Sequence, residues 1–222
     1  MDWQALTLSL ELAACTVAIL LPLGIVVARQ LAWRRFVGRR LVEAALALPL
    51  VLPPTVLGDY LLTAFAGGSP VGRAFASFTG PPLAFSFAGL LVASLIFNLP
   101  FTIQPMQRAF EGIGGDIRAA AACCGMSRWR IFTAVELPLA WPGVLSALVL
   151  TFAHTLGEFG VVLMVGGNIP GETRTIAIAI YDRVQAFDTR AAALMSAVLL
   201  VLSLAAIAIA YSTTWRSEPA RG

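Results

Sequence analysis

Long apolar runs separated by short polar segments dominate the hydrophobicity pattern of this chain. Five runs are long enough to cross a hydrocarbon core about 30 Å thick, which takes roughly 20 residues in helical form. Because the runs are continuous and do not alternate with a period of two, they predict helices rather than the strands of a barrel. The pattern therefore predicts an all-α polytopic membrane protein with five transmembrane helices. The predicted spans are residues 6–28, 41–66, 83–106, 142–165 and 191–211.

The composition agrees with a membrane protein, since 59% of the residues are hydrophobic and 12% are charged. All fifteen basic residues are arginines, and most of them follow span one, span three or span five. The positive-inside rule makes that side cytoplasmic, so we expect the N-terminus outside and the C-terminus in the cytoplasm. Residues 1–216 are expected to form one transmembrane domain and residues 217–222 a cytoplasmic tail. This topology accounts for the net charge of +3, and no nucleic-acid partner is expected.

Three prolines, Pro49, Pro53 and Pro54, interrupt the second apolar run. Each proline removes a backbone donor, so together they kink or break a helix. A break is tolerated in lipid only where neighbouring protein or a water-filled cavity accepts the freed backbone groups. We therefore expect span two to be broken and to line a cavity or a protein contact.

The segment 107–141, between spans three and four, predicts two short helices. The first stops at Gly125, and the second restarts with Ser127 as its N-cap and ends at Leu137 and Pro138. Two short helices joined at a glycine cannot cross the bilayer, and they would form a knob at the cytoplasmic face. The residues alone leave two interpretations open: a docking site for another protein, or a helix pair on the membrane surface without a partner.

His154, the only histidine, and Glu158 stand one helical turn apart in the apolar stretch FAHTLGEFGVVLMVGGN. A charge at the centre of a membrane helix costs roughly 2.5–3.5 kcal/mol on insertion scales, so such residues are candidates for function. We predict that the two side chains lie on one face and are close enough to pair. They could tie this helix to a neighbour, or relay protons in a secondary transporter. One histidine and few acidic residues argue against a membrane-embedded enzyme.

The loop around Gly125 resembles the cytoplasmic "EAA" motif of ABC-importer permeases, in which Glu-Ala-Ala precedes a glycine and a helix that ends in Leu-Pro. Gly125 and the stretch VELPLAWPG match that motif, whereas Ala119 stands where the motif has its glutamate. The stretches LVLPPTVLGDYLL and FAHTLGEFGVVLMVGGNIPGETRTIAIAIYDRVQAFD resemble molybdate permeases, the membrane subunits of molybdate importers. Tungstate and sulfate permeases share LGEFG, and GNIPGETRT favours molybdate among the three.

The resemblance implies a type I ABC-importer permease fold and ATP-driven import of a tetrahedral oxyanion: molybdate, or alternatively tungstate or sulfate. Two copies of the chain would form the pathway in the membrane lipid, two cytosolic ATPase subunits would dock on the loop, and a periplasmic oxyanion-binding protein would deliver the substrate. ATP and Mg²⁺ would bind to the ATPase, since this chain has no GxxxxGK[ST] loop. No catalytic residue, cofactor or metal site is expected in the chain itself. The expected ATPase-coupling residues are Arg118, Ala119, Ala120, Ala121, Gly125, Trp129, Arg130, Phe132, Leu137 and Pro138.

The resemblance also makes the stretch around Glu158 part of the translocation path or of its outer gate. A carboxylate is a poor ligand for a dianion, so we expect Glu158 to hold a gate and neutral donors to contact the anion. The expected path or gate residues are Thr151, His154, Thr155, Gly157, Glu158, Gly160 and Asn168. A proton-coupled secondary transporter is the alternative, although five spans without an inverted repeat argue against it.

Overall fold

The computed structural model describes residues 1–79 and 82–215, and every regular element in these two ranges is a helix. The predicted cytoplasmic tail, residues 217–222, lies outside the described residues. The helices are α1 (Trp3–Trp33), α2 (Arg39–Val51), α3 (Pro54–Phe65), α4 (Pro70–Thr79), α5 (Phe87–Glu111), α6 (Gly115–Cys123), α7 (Arg128–Gly157), α8 (Gly160–Gly166), α9 (Ile176–Gln185) and α10 (Thr189–Trp215).

Four of these helices, α1, α5, α7 and α10, are long and apolar enough to cross a membrane by themselves. The remaining predicted span, span two, is a pair of shorter helices, α2 and α3, and the chain bends by 110° between them. The break falls at Pro53 and Pro54, and Pro54 opens α3 at a position where a helix needs no N–H donor. The predicted break in span two is confirmed, and the number of spans is five if the bent pair counts as one crossing.

Helix α7 corrects two predictions about the fourth span. It runs without interruption from Arg128 to Gly157, so the prediction that a short helix ends at Leu137 and Pro138 is wrong. The reason is a wide, π-helical turn at Phe132–Glu136, in which the N–H of Leu137 donates to the carbonyl oxygen of Phe132. Such a turn absorbs the disturbance that a proline introduces into the hydrogen-bond ladder, and the helix continues past it.

The far end of α7 also differs from the predicted span 142–165. The helix stops at Gly157, and Glu158 has an extended backbone with φ −68° and ψ 130°. A separate short helix, α8, begins at Gly160. The predicted continuous span is therefore two helices joined by a two-residue break at Glu158 and Phe159.

Helix α5 packs against α1 and α7, and these three helices form the largest part of the interior. Their shared core holds Met106 and Phe110 of α5 with Ala28 of α1 and Val144 of α7, all at most 1% exposed. At Gly143 of α7 the two backbones approach closely: a Cβ there would overlap that of Ala109 and lie 2.8 Å from the carbonyl oxygen of Pro105. Small residues at such a crossing permit the close contact that membrane helices need, because lipid supplies little hydrophobic driving force.

Gly143→Ala is expected to destabilise the protein, because the added methyl group would force α7 away from α5. Overpacking of this kind costs about 1–3 kcal/mol, and thermal unfolding of the detergent-purified protein should report a lower Tm. Gly68→Ala is the matched control, since a Cβ at Gly68 meets nothing within 4 Å. An equal Tm for the two variants would contradict the close packing at Gly143.

Candidate functional site

Three polar contacts connect α5 to α7 and to Glu158, the residue directly after α7, inside the apolar bundle. Ser94 donates to Oε2 of Glu158 at 3.0 Å, Asn98 Oδ1 lies 3.1 Å from Nδ1 of His154, and Thr102 contacts the hydroxyl of Thr151 at 2.7 Å. We call these six residues the α5–α7 ladder. Ser94, Asn98 and Thr102 are four residues apart, so they share one face of α5.

The ladder satisfies polar groups that have almost no access to solvent. Ser94, Asn98, Thr102 and Thr151 are each at most 1% exposed, and a buried polar group without a partner is costly. Asn98 also donates to the carbonyl oxygen of Ser94, and Thr102 donates to that of Asn98. Because the single hydroxyl proton of Thr102 is used there, Thr151 is the donor in the contact between the two threonines.

The predicted pairing between His154 and Glu158 is wrong, because each residue has its partner on α5. Both side chains face α5, where His154 contacts Asn98 and Glu158 contacts Ser94, and the helix ends before Glu158, whose backbone is extended. The ring of His154 stacks on Phe101, with 4.0 Å between the centroids, and tilts against Phe97. Glu158 is 4% exposed, and its Oε1 has no hydrogen-bond partner within the described part of the chain.

The other predicted path residues fall in different places. Thr155 is buried and donates to the carbonyl oxygen of Thr151 in its own helix, while Gly157 is exposed at the end of α7. A Cβ at Gly160 would lie 2.8 Å from that of Pro54, so this glycine permits α8 to contact the start of α3. The structure thus brings Thr151, His154 and Glu158 onto one line of contacts with α5.

Asn168 belongs to a separate polar cluster at the end of the bundle where α1 begins. It accepts a hydrogen bond from Nε of Arg174 at 2.6 Å and donates to Asp182 at 2.8 Å. Arg174 also lies 3.8 Å from Oδ2 of Asp2, the residue whose side chain caps α1 by accepting from the N–H of Ala5. Asn168 therefore contacts none of the ladder residues.

A second buried carboxylate, Glu136, lies at the opposite end of the bundle and is 0% exposed. Its Oε2 accepts from Nε of Arg29 at 2.6 Å and its Oε1 from Nε of Arg118 at 2.9 Å. The guanidinium of Arg118 lies 3.8 Å from the centre of the Trp33 ring, and that of Arg29 lies 5.2 Å from the Phe132 ring. We call these five residues the Glu136 cluster, and it joins α1, α6 and α7.

The Glu136 cluster contains a buried ion triad, and its energetics depend on all partners being present. A carboxylate withdrawn from water needs both charge compensation and hydrogen bonds, and removal of a partner from a buried pair costs about 3–5 kcal/mol. Here two arginines, each about one-third exposed, supply both requirements. The cluster thus fixes the relative positions of three segments that are distant in the sequence.

The turn between α6 and α7 has the predicted glycine and N-cap. Gly125 adopts φ +75°, a left-handed conformation that ends α6. The side chain of Ser127 then accepts from the N–H of Arg130 at 3.3 Å and caps α7. Both predictions are confirmed.

The predicted coupling residues divide into two groups. Arg118 and Phe132 belong to the Glu136 cluster, whereas Trp129 is 72% exposed. The remaining predicted coupling residues are exposed, except for the half-buried Ala121 and Leu137; they are Ala119, Ala120, Ala121, Gly125, Arg130, Leu137 and Pro138.

Six partners were not predicted from the sequence: Ser94, Asn98 and Thr102 in the ladder, and Arg29, Trp33 and Glu136 in the cluster. A signal existed for the ladder, because Ser94, Asn98 and Thr102 recur every fourth residue in an apolar run. Glu136 stands alone at the head of another apolar run, where a charge is unexpected. Among the described residues, no group of His, Cys, Asp and Glu side chains is arranged to hold a metal ion.

The Ser94–Glu158 contact predicts energetic coupling between the two residues. In a double-mutant cycle of Ser94→Ala and Glu158→Ala, measured by thermal unfolding in detergent, we expect a coupling of about 1 kcal/mol or more. A control cycle pairs Ser94→Ala with Ser146→Ala, because Ser146 bonds only to the Pro142 carbonyl oxygen of its own helix. Additivity in both cycles would contradict the ladder.

Comparison with known proteins adds three findings. Residues 20–214 match the family described as "Binding-protein-dependent transport system inner membrane component". The chain is 45% identical to the molybdenum transport system permease protein ModB of Azotobacter vinelandii over 213 residues. This match covers 96% of this chain and 94% of that protein. The chain is also 34% identical to the sulfate transport system permease protein CysT of Escherichia coli (strain K12) over 181 residues. This match covers 82% of this chain and 65% of that protein.

The fold is similar to that of a chain in the crystal structure of a bacterial alginate ABC transporter in complex with an alginate pentasaccharide-bound periplasmic protein. The TM-score is 0.77 at 17% sequence identity, over 96% of this chain and 78% of that chain. At this level of identity the likeness concerns the fold alone.

Proposed function

Because the chain belongs to the family of binding-protein-dependent transport system inner membrane components, we propose that it is the permease of an ATP-driven importer of molybdate. The chain is a multi-pass protein of the inner membrane. The observation that carries the proposal is the 45% identity, over nearly the whole length of both chains, to a molybdenum permease. The sulfate permease is less similar and is matched over a smaller part of its length.

The end of the bundle that carries the Glu136 cluster faces the cytoplasm in this proposal. Arg29, Arg39 and Arg118 lie there, and Arg39 bridges α2 to Glu111 at the end of α5. An excess of arginine marks the cytoplasmic side of a membrane protein. The Asp2 and Arg174 cluster then faces outward, where a periplasmic binding protein would deliver the oxyanion.

Two copies of the chain would form the pathway, and one ATPase subunit would dock on the α6–α7 turn of each copy. The surface of α6 supports this role, because none of its residues is buried. Trp129 beside it is an exposed aromatic residue of the kind that anchors protein interfaces. ATP and Mg²⁺ would bind to the ATPase, whose closure would draw the two α6 helices together and turn the pathway outward.

The α5–α7 ladder would act as the outer gate of the pathway. Glu158 carries the wrong charge to bind a dianion, so its role in the proposal is to hold the end of α7 against Ser94 of α5. His154 holds the next turn through Asn98. Movement at the break between Gly157 and Gly160 would release neutral donors such as Thr151 and Thr155 for transient contact with the anion, while Asn168 would contact it at the outer end.

Reconstitution tests the proposed function directly. The chain, its ATPase and its binding protein are placed in proteoliposomes, and molybdate uptake is followed with and without ATP. We expect uptake that needs both the ATPase and ATP and that persists when a protonophore collapses the proton gradient. Uptake without the ATPase would contradict the proposal of an ATP-driven importer. Uptake abolished by the protonophore would favour the proton-coupled alternative. Competition by sulfate or tungstate that exceeds competition by unlabelled molybdate would change the assigned substrate.

Gly125→Val is expected to abolish most of the uptake in the same assay. A residue with a Cβ strains the left-handed conformation by about 1–2 kcal/mol, which shifts a two-state population by roughly 5- to 30-fold. The control is Gly38→Val, since Gly38 also has a positive φ, of 92°, but lies outside the α6–α7 turn with nothing within 4 Å of a Cβ. Equal loss in both variants would remove the turn from the mechanism.

A further inference from the structure

We propose that Arg118 links α6 to the transmembrane helices, so that a displacement of α6 reaches α1 and α7 through the Glu136 cluster. This inference rests on the proposed function, because it names the residues that would transmit the movement of the ATPase. Arg118 is a positioning residue in this scheme, since it acts on the pathway through Glu136.

Packing alone does not hold α6 to the bundle. None of its nine residues is buried; Arg118 and Ala121 are half-buried, and the other seven are exposed. Gly112 and Gly114 flank the buried Ile113 in the link before α6, and Gly125 lies in the link after it; glycine gives these links more backbone freedom than other residues would. A force on α6 therefore has no rigid apolar interface through which to act.

Arg118 provides the connection between α6 and the transmembrane helices. Its Nε donates to Oε1 of Glu136 at 2.9 Å, and its guanidinium stacks on Trp33 of α1 with 3.8 Å to the ring centre. A planar guanidinium can stack and donate at the same time, whereas an ammonium group cannot reproduce both contacts. Arg118 thus contacts both α1 and α7.

Arg118 acts on a part of α7 that bends easily. Glu136 lies in the wide turn Phe132–Glu136 of α7, directly before Leu137 and Pro138. Hydrogen bonding is irregular at such a turn, and helices bend most readily at wide turns and prolines. Because Arg29 holds the other carboxylate oxygen, a displacement of Arg118 acts on α1 and on the most easily bent part of α7 together.

The test separates transmission from folding and from docking. Arg118→Gln removes the link but leaves Glu136 paired with Arg29, so the buried carboxylate keeps a counter-charge. The variant is assembled with its ATPase and binding protein in proteoliposomes, and molybdate uptake and ATP hydrolysis are measured on the same sample. Tm and co-purification of the ATPase report folding and docking.

We expect Arg118→Gln to assemble and to hydrolyse ATP within about twofold of the wild type, while the molybdate transported per ATP falls at least about fivefold, the lower end of typical coupling between sites. Arg118→Lys should recover part of the loss. Arg34→Gln is the matched control, because Arg34 lines the cavity of ≈ 490 Å³ beside Arg29, Arg118 and Glu136 and makes no ion pair with any described residue. It should transport as the wild type does.

Arg39→Gln is a second control, since it breaks different ion pairs at the same end of the bundle, those with Glu43 and Glu111. Its transport per ATP should stay at the wild-type value. An unchanged ratio in Arg118→Gln would overturn the inference, and so would loss of the ATPase from that variant, which would assign Arg118 to docking. A wild-type complex without ATP-driven uptake would instead overturn the proposed function.

Discussion

Two buried carboxylates, one near the start of a long helix and one directly after its end, determine how this bundle is held together. Glu136 near the start of α7 and Glu158 directly after its end are 0% and 4% exposed. Both side chains are almost completely withdrawn from solvent, so each depends on side chains of other helices for its hydrogen bonds. Glu136 is satisfied by arginines of α1 and α6, and Glu158 by a serine of α5. The position of α7 is thereby fixed at both ends by polar contacts, while its middle packs through small and apolar residues.

The two attachments differ in character, and the difference suits a protein that changes conformation. Glu136 has a partner on each oxygen and two counter-charges. Glu158 has one hydroxyl partner, and its second oxygen is unpaired within the described residues. A partly satisfied buried carboxylate is a weaker attachment than a fully satisfied one. The Glu158 end of α7 is therefore the end that separates from its neighbours at lower cost.

Much of the fold could be predicted from local sequence signals, because helices in lipid follow apolar length. The proline break of span two and the turn at Gly125 with its Ser127 cap depend on backbone chemistry that is visible in the sequence. The passage of α7 through Pro138 was not predictable, since the wide turn before it is one of two ways in which a chain can accommodate a proline. The ladder was missed because its partners are 49 to 64 residues apart, and sequence periodicity does not show which two faces meet.

The length of α1 has a further consequence for the Glu136 cluster. Its 31 residues span about 46 Å at 1.5 Å per residue, whereas the hydrocarbon core is about 30 Å thick. Such a helix must tilt or project into the headgroup region, and its tilt responds to the local thickness of the bilayer. Because Arg29 and Trp33 are in its last two turns, a thinner bilayer shifts them relative to Glu136. The lipid environment therefore acts on the same buried carboxylate that α6 contacts from the other side.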